Sequence, residues 1–162
     1  MLMKDLRSKE IKQILIRSTN WVGDAIITTP AIRAVRKNFP EAKISLLAKP
    51  WVAPIFYNNP YIDNILFYDA AGKHKGLSGI SRLSRELRKK KFDLAILFQN
   101  AFEAALIAFG AGIPNRLGYN TDARSLLLTH CIRLKPALKR VHQIDYYLGI
   151  LEGASLNQTA GN

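Results

Sequence analysis

Between Arg17 and Pro30 the chain reads Arg17-Ser18-Thr19-Asn20-Trp21-Val22-Gly23-Asp24-Ala25-Ile26-Ile27-Thr28-Thr29-Pro30, a glycine and then a carboxylate where an apolar run gives way to a helical pattern. Gly23 lets the backbone come close to a ligand, and the free N–H groups of a helix start receive an anionic or hydroxyl group. Asp24 is expected to be ionised there, because the positive end of a helix favours negative charge. A lone carboxylate in that place suits a general base that takes a proton from a hydroxyl nucleophile in a displacement. Asp is equally a favoured helix-capping residue, so a purely structural role stays open.

These residues need a frame to hold them. Lys12 to Arg17 is a short apolar run rich in β-branched residues, ending in the turn-prone Ser18-Thr19-Asn20, which predicts a buried strand. From Asp24 onward Ile26, Ile27, Ala31, Ala34 and Val35 recur at helical spacing until Asn38-Phe39-Pro40 stops them, and Pro30 either kinks that helix or opens a fresh turn. The alternation continues with strands at Lys43 to Ala48, Asn64 to Tyr68 and Phe92 to Phe98, and helices at Trp51 to Tyr57, Ser78 to Lys91 and Ala101 to Phe109. Gly110 with Gly112 ends the last of these, Arg116 to Tyr119 supplies a last short strand, and Val141 to Glu152 a closing helix. Strands alternating with helices in this way predict an α/β, Rossmann-like, doubly wound and mostly parallel sheet. Ligands bind such sheets beyond the carboxyl ends of the strands, so chemistry is expected at Ser18 to Asp24, Lys49 to Trp51, Asp69 to Lys75 and Gln99 to Phe102.

The totals bound the reading. A chain of 162 residues, 48% hydrophobic and 22% charged, has the composition of one globular domain. Cys131 is single and His74, His130 and His142 lie far apart, so neither an internal disulfide nor a metal site is expected. The charged N-terminus and the short apolar run Ile14 to Ile16 point to a cytoplasmic protein without a signal or span. With 24 Lys and Arg against 12 Asp and Glu the net charge is +12, a field that draws nucleic acid, acidic lipid or phosphorylated sugar. No Gly-x-Gly-x-x-Gly fingerprint and no P-loop is present, which counts against dinucleotide oxidoreductases and nucleoside triphosphatases. A basic nucleic-acid-binding module is the rival that charge alone allows, but no helix-turn-helix, zinc finger or RNA-binding aromatic motif is apparent, and no nucleic-acid partner is expected.

Asn20-Trp21-Val22-Gly23-Asp24, after a first strand and followed by Thr28-Thr29-Pro30, resembles the opening motif of the lipopolysaccharide heptosyltransferases, glycosyltransferase family 9. The resemblance continues through Phe92-Asp93, Gln99-Asn100-Ala101-Phe102, Ala111-Gly112-Ile113-Pro114 and Arg116-Leu117-Gly118-Tyr119 to the stretch His142 to Tyr146. It departs at Gln99 to Phe102, where heptosyltransferases of the second type commonly have Pro-Asn-Ser-Phe, and so loses a hydroxyl that would face the sugar. What it implies is the N-terminal, acceptor-binding half of a GT-B glycosyltransferase. Residues 1–152 would form that domain, 153–162 a frayed tail or the start of a linker, and the donor-binding C-terminal domain would be absent. Heptose would pass from ADP-heptose to the acidic inner core of lipopolysaccharide with inversion, Asp24 matching the family's catalytic base, without metal or cofactor. The chain by itself is then expected to be inactive; a non-catalytic glycolipid-binding module is the other reading.

An acidic glycolipid at the inner face of the cytoplasmic membrane would meet Lys49, Lys73, Lys75, Arg82, Arg116 or Arg124 through charge-assisted hydrogen bonds. Arg85, Arg88, Lys89, Lys90 and Lys91 read first as a solvated face at the cation-favouring end of a helix, and second as a contact for anionic headgroups. The expected substrate-binding set is Asn20, Trp21, Gly23, Gln99, Asn100 and Arg116. Within it, Trp21 stacks on a sugar or packs, as does Trp51 outside it; Asn100 binds hydroxyls or makes a turn; Arg116 meets an acceptor carboxylate or a surface acid. Cys131 reads as a small core residue.

Overall fold

The computed structural model describes residues 5–139 and 142–156. Its strands are β1 (Gln13–Arg17), β2 (Lys43–Ala48), β3 (Asn64–Phe67), β4 (Leu94–Leu97), β5 (Asn115–Tyr119) and β6 (His130–Ile132), joined in one sheet of order β3-β2-β1-β4-β5-β6. Every pairing is parallel. The helices are α1 (Val22–Ile27), α2 (Thr29–Asn38), α3 (Gly76–Arg88), α4 (Phe102–Gly110) and α5 (Gln143–Gly153).

A parallel sheet covered on both faces needs strands that are apolar on both sides, and the alternation of side chains sorts them into two cores. Ile14, Ile16, Ile44, Leu46, Leu94 and Ile96 point to the face that Val35 of α2 and Ile150 of α5 cover. Leu15, Leu47, Ala95 and Leu97 point to the other, against Leu83 and Leu87 of α3 and Ile107 of α4. The doubly wound architecture is thus written in the strand residues themselves.

The ends of the helices follow local chemistry. Thr28 closes α1, its hydroxyl donating to the Ala25 carbonyl at 2.6 Å, and Pro30 lies in the first turn of α2, where no intrahelical N–H is needed. Of the two readings of Pro30, the fresh turn is the one realised. Gly112, at φ 68°, ends α4: its N–H donates to Phe109 and that of Ile113 to Ala108, a paired closure that calls for a left-handed residue. The same closure ends α5, with Ser155 at φ 60° and the Leu156 N–H on the Leu151 carbonyl at 2.9 Å. Leu156 is buried in the first core, so packed structure runs past Gly153, where a frayed tail was expected, because that turn carries an apolar anchor. Residues 157–162, and Val141 at the expected start of the closing helix, lie outside the described residues.

One strand went unread. β6 has three residues, His130-Cys131-Ile132, too short and mixed to declare a period, yet it pairs with β5 through Gly118↔Cys131. Cys131 there packs partly buried against the second core. No helix among the described residues is long and apolar enough to cross a membrane.

The strand order runs outward in opposite directions from the β1–β4 pair. The connections leaving these two strands therefore diverge, and a crevice opens at their carboxyl ends, where such folds take ligands.

Candidate functional site

Asn20 is the hub of that crevice. Its N–H donates to Gln99 Oε1 at 3.1 Å, its Oδ1 accepts from Arg17 Nη2 at 2.8 Å, and its carbonyl accepts from the Trp51 indole N–H at 2.9 Å. Three of its polar groups are thereby spent on tying together the loops that follow β1, β2 and β4. Gln99 contributes Oε1 to the same knot, so for Asn20 and Gln99 the remaining amide nitrogens are the side-chain groups left to meet a ligand.

Beneath the hub lies a residue not singled out from the sequence. Arg17, the last residue of β1, is only 1% exposed; its Nη1 donates to the Ser18 carbonyl and its guanidinium lies 5.2 Å from the centre of the Tyr68 ring. Burial pulls its pKa down to about 10, against the pull of Glu103. Glu103 acts on the Tyr68 hydroxyl, whose own pKa rises through burial and then through that carboxylate. A charge closing an apolar strand immediately before the glycine motif was the available signal for Arg17. Nothing local marks Glu103, the second residue of α4, because its partners come from other strand ends.

Asp24 is the third residue of α1, half-buried in its first turn. The cap position belongs to Trp21, which makes no side-chain capping bond, so Asp24 is not the capping residue. Among the described residues its carboxylate has no hydrogen-bond partner, although its charge helps burial to raise the pKa of the Tyr147 hydroxyl. Trp21 is 72% exposed, which removes the packing alternative for it. At Gly23 an added Cβ would meet nothing within 4 Å. The fold therefore does not require glycine there. Gly23→Ala is expected to leave the thermal midpoint unchanged or raise stability by up to about 1 kcal/mol through helix propensity. If a ligand approaches this backbone, the same methyl lowers kcat/KM at least about tenfold, and steady-state kinetics beside a melting curve read both effects.

The remaining expected residues are not all brought to the crevice. Asn100 donates through Nδ2 to the Tyr146 hydroxyl, and its carbonyl accepts from Thr121 Oγ1 at 3.0 Å; it stands at the right edge but serves the loop. Arg116 is set apart. It pairs with Ala95 at the amino-terminal part of β5, and its guanidinium donates to the Leu127 and Ile113 carbonyls and lies over the Phe109 ring. Arg124 has the edge position instead, fully buried, with donors on the Tyr119, Gln99 and Ala101 carbonyls. Lys73 pairs with Glu86 at 2.8 Å, while Arg85, Arg88 and Lys89 to Lys91 are exposed.

Comparison with known proteins fits this frame. The family description glycosyltransferase family 9 (heptosyltransferase) matches residues 80–157. Lipopolysaccharide heptosyltransferase 2 of Escherichia coli K12 is 29% identical over 116 residues, 72% of this chain and 33% of that protein. The protein of the same name from Salmonella typhimurium is 30% identical over the same shares. Among solved structures, the family 9 glycosyl transferase of Veillonella parvula superposes with a TM-score of 0.83 at 24% identity, over 94% of this chain and 44% of that one. The E. coli ADP-heptose lipopolysaccharide heptosyltransferase II superposes with a TM-score of 0.68 at 27% identity, over 78% of this chain and 36% of that one.

The architecture is thus a Rossmann-like α/β unit, the fold it shares with part of those two glycosyltransferase structures. The chain is similar to glycosyltransferase family 9, the heptosyltransferase family, and spans 33% of the length of those two heptosyltransferase 2 relatives.

Proposed function

We propose that this chain is the acceptor-binding half of an inverting heptosyltransferase that moves heptose from ADP-heptose to the acidic inner core of lipopolysaccharide. Asp24 carries the reading: a half-buried carboxylate at the point where the strand order reverses, with no capping duty and no hydrogen-bond partner among the described residues. In a single displacement the acceptor hydroxyl oxygen bonds to the anomeric carbon as its proton passes to Asp24. The bond from that carbon to the diphosphate breaks and ADP leaves with the electron pair. One base suffices, since no covalent intermediate forms, and the charge on the leaving diphosphate calls for cationic and helix-end groups of the donor half. The names of the relatives and the open backbone at Gly23 support the assignment. The glycolipid acceptor brings the domain to the inner face of the cytoplasmic membrane as a peripheral guest.

The test is ADP release from ADP-heptose in the presence of a lipid A core lacking heptose, with the anomeric configuration of the product read by NMR. A protein containing both halves is expected to release ADP only with acceptor and to invert the configuration, and the chain alone to release none. Transfer by the chain alone, retention of configuration, or release indifferent to acceptor would overturn the proposal.

A further inference from the structure

Lys49 follows β2 at the same edge of the sheet, beside Trp51, whose indole N–H is fixed on Asn20. Its ammonium lies 5.0 Å from the centre of the Tyr68 ring and 5.4 Å from that of Trp51. Tyr68 already carries the Arg17 guanidinium, so two cations share one ring. The acid that acts on both is Glu103, which also acts on the Tyr68 hydroxyl. Two positive charges thus face one negative charge at the ligand-bearing edge. Burial, and then the neighbouring Arg17, push the Lys49 pKa below the ordinary lysine value, with Glu103 offsetting only part. Arg17 Nε is buried without a hydrogen-bond partner.

A surplus of buried or half-buried positive charge is costly to keep unless an anion arrives to share it. Trp51, 55% exposed, offers a ring face next to the ammonium. We propose that Lys49, set between Trp51 and Tyr68 with Arg17 beneath, is an anion subsite that takes the carboxylate or phosphate of an acidic sugar whose ring lies on Trp51. The assignment rests on the reading of this edge as the acceptor site and deepens it: it names the group by which an acidic acceptor is told from a neutral one. An anion here completes the charge balance through charge-assisted hydrogen bonds, and a neutral sugar gains only the stacking.

The two tryptophans, Trp21 and Trp51, give two indole N–H resonances, assigned with Trp51→Phe. The purified protein is titrated with glucuronate, inorganic phosphate and glucose. A saturable shift of the Trp51 signal by glucuronate alone assigns a carboxylate, and one by phosphate alone assigns a phosphate; glucose is expected to leave it in place. Lys49→Met, which keeps the apolar stem, is expected to weaken that binding at least about tenfold, and Lys49→Arg to restore most of it. A Trp51 signal that neither anion moves, that glucose moves equally, or that titrates unchanged in Lys49→Met overturns the subsite. Transfer kinetics separate this from the proposed function. If Trp51 titrates through Lys49 but the two-domain protein never transfers heptose, the subsite stands and the function falls; if transfer runs in Lys49→Met with an unchanged acceptor KM, the subsite falls and the function stands.

Discussion

Replacing Asp24 by Asn in the two-domain enzyme is expected to lower kcat by a factor on the order of 10²–10⁴, the range that a general base contributes. Acceptor KM and the unfolding midpoint should stay near those of the parent. Asn keeps the volume and removes the proton acceptor, so the loss appears in kcat and kcat/KM together, the pattern of an interaction made only in the transition state. The stability half of the expectation rests on the helix start. A capping Asp would cost about 1 kcal/mol on removal, but the cap position of α1 is Trp21, and Asp24 bonds to no backbone N–H among the described residues. What remains is the attraction of its charge to a six-residue helix, under about 1 kcal/mol. Steady-state kinetics and thermal melts on the same preparations decide the matter. A kcat within a few-fold of the parent sinks the base; a midpoint that drops while kcat holds restores the structural role that the sequence left open.

The contrast between Asp24 and Arg17 shows what a single sequence can and cannot disclose. Strands and helices were legible because their apolar periods are local, and the glycine-carboxylate pair was legible because it interrupts those periods at a strand end. The rule that ligands gather at the carboxyl ends of strands then pointed to the loops that Asn20, Trp51 and Gln99 in fact knit together. The partners inside that knot are another matter. Tyr68, Lys49 and Glu103 converge on Arg17 only because β2 and β4 flank β1 and β3 lies beyond β2, an order that no local pattern fixes. Arg116 illustrates the converse: its place in a strand was legible, and as the second residue of β5 it falls toward the amino end, away from the crevice.

Arg124→Ala is expected to destabilise the domain by about 3–5 kcal/mol, combining the loss of hydrogen bonds from a charged donor with the cavity it leaves. The sequence offered Arg124 as a group for an acidic ligand; its surroundings give it a different task. The side chain is fully buried. Its Nε donates to the Tyr119 carbonyl at 2.9 Å, Nη1 to Gln99 at 2.6 Å and to Ala101 at 3.4 Å, and Nη2 to Asn100 Oδ1 at 3.4 Å. One guanidinium thus holds the end of β5 against the loop that presents Gln99 to Asn20. Burial brings its pKa down to about 10, so it stays charged at neutral pH while desolvated, and the carbonyls are what compensate it. Gly118 makes the room: an added Cβ there would come within 2.9 Å of Nη2. Two residues in the left-handed region, Asp122 at φ 51° and Ala123 at φ 57°, turn the chain so that Arg124 points inward, a strain that the buried donors offset. With Ala in its place the Tyr119 and Gln99 carbonyls lose those donors, and the midpoint should fall on the order of 10 °C for a domain of this size. Arg124→Lys should recover only part, because a single ammonium cannot reproduce the planar fork. Were Arg124 instead a ligand-binding cation with no structural duty, melting of Arg124→Ala would match the parent and only acceptor affinity would change.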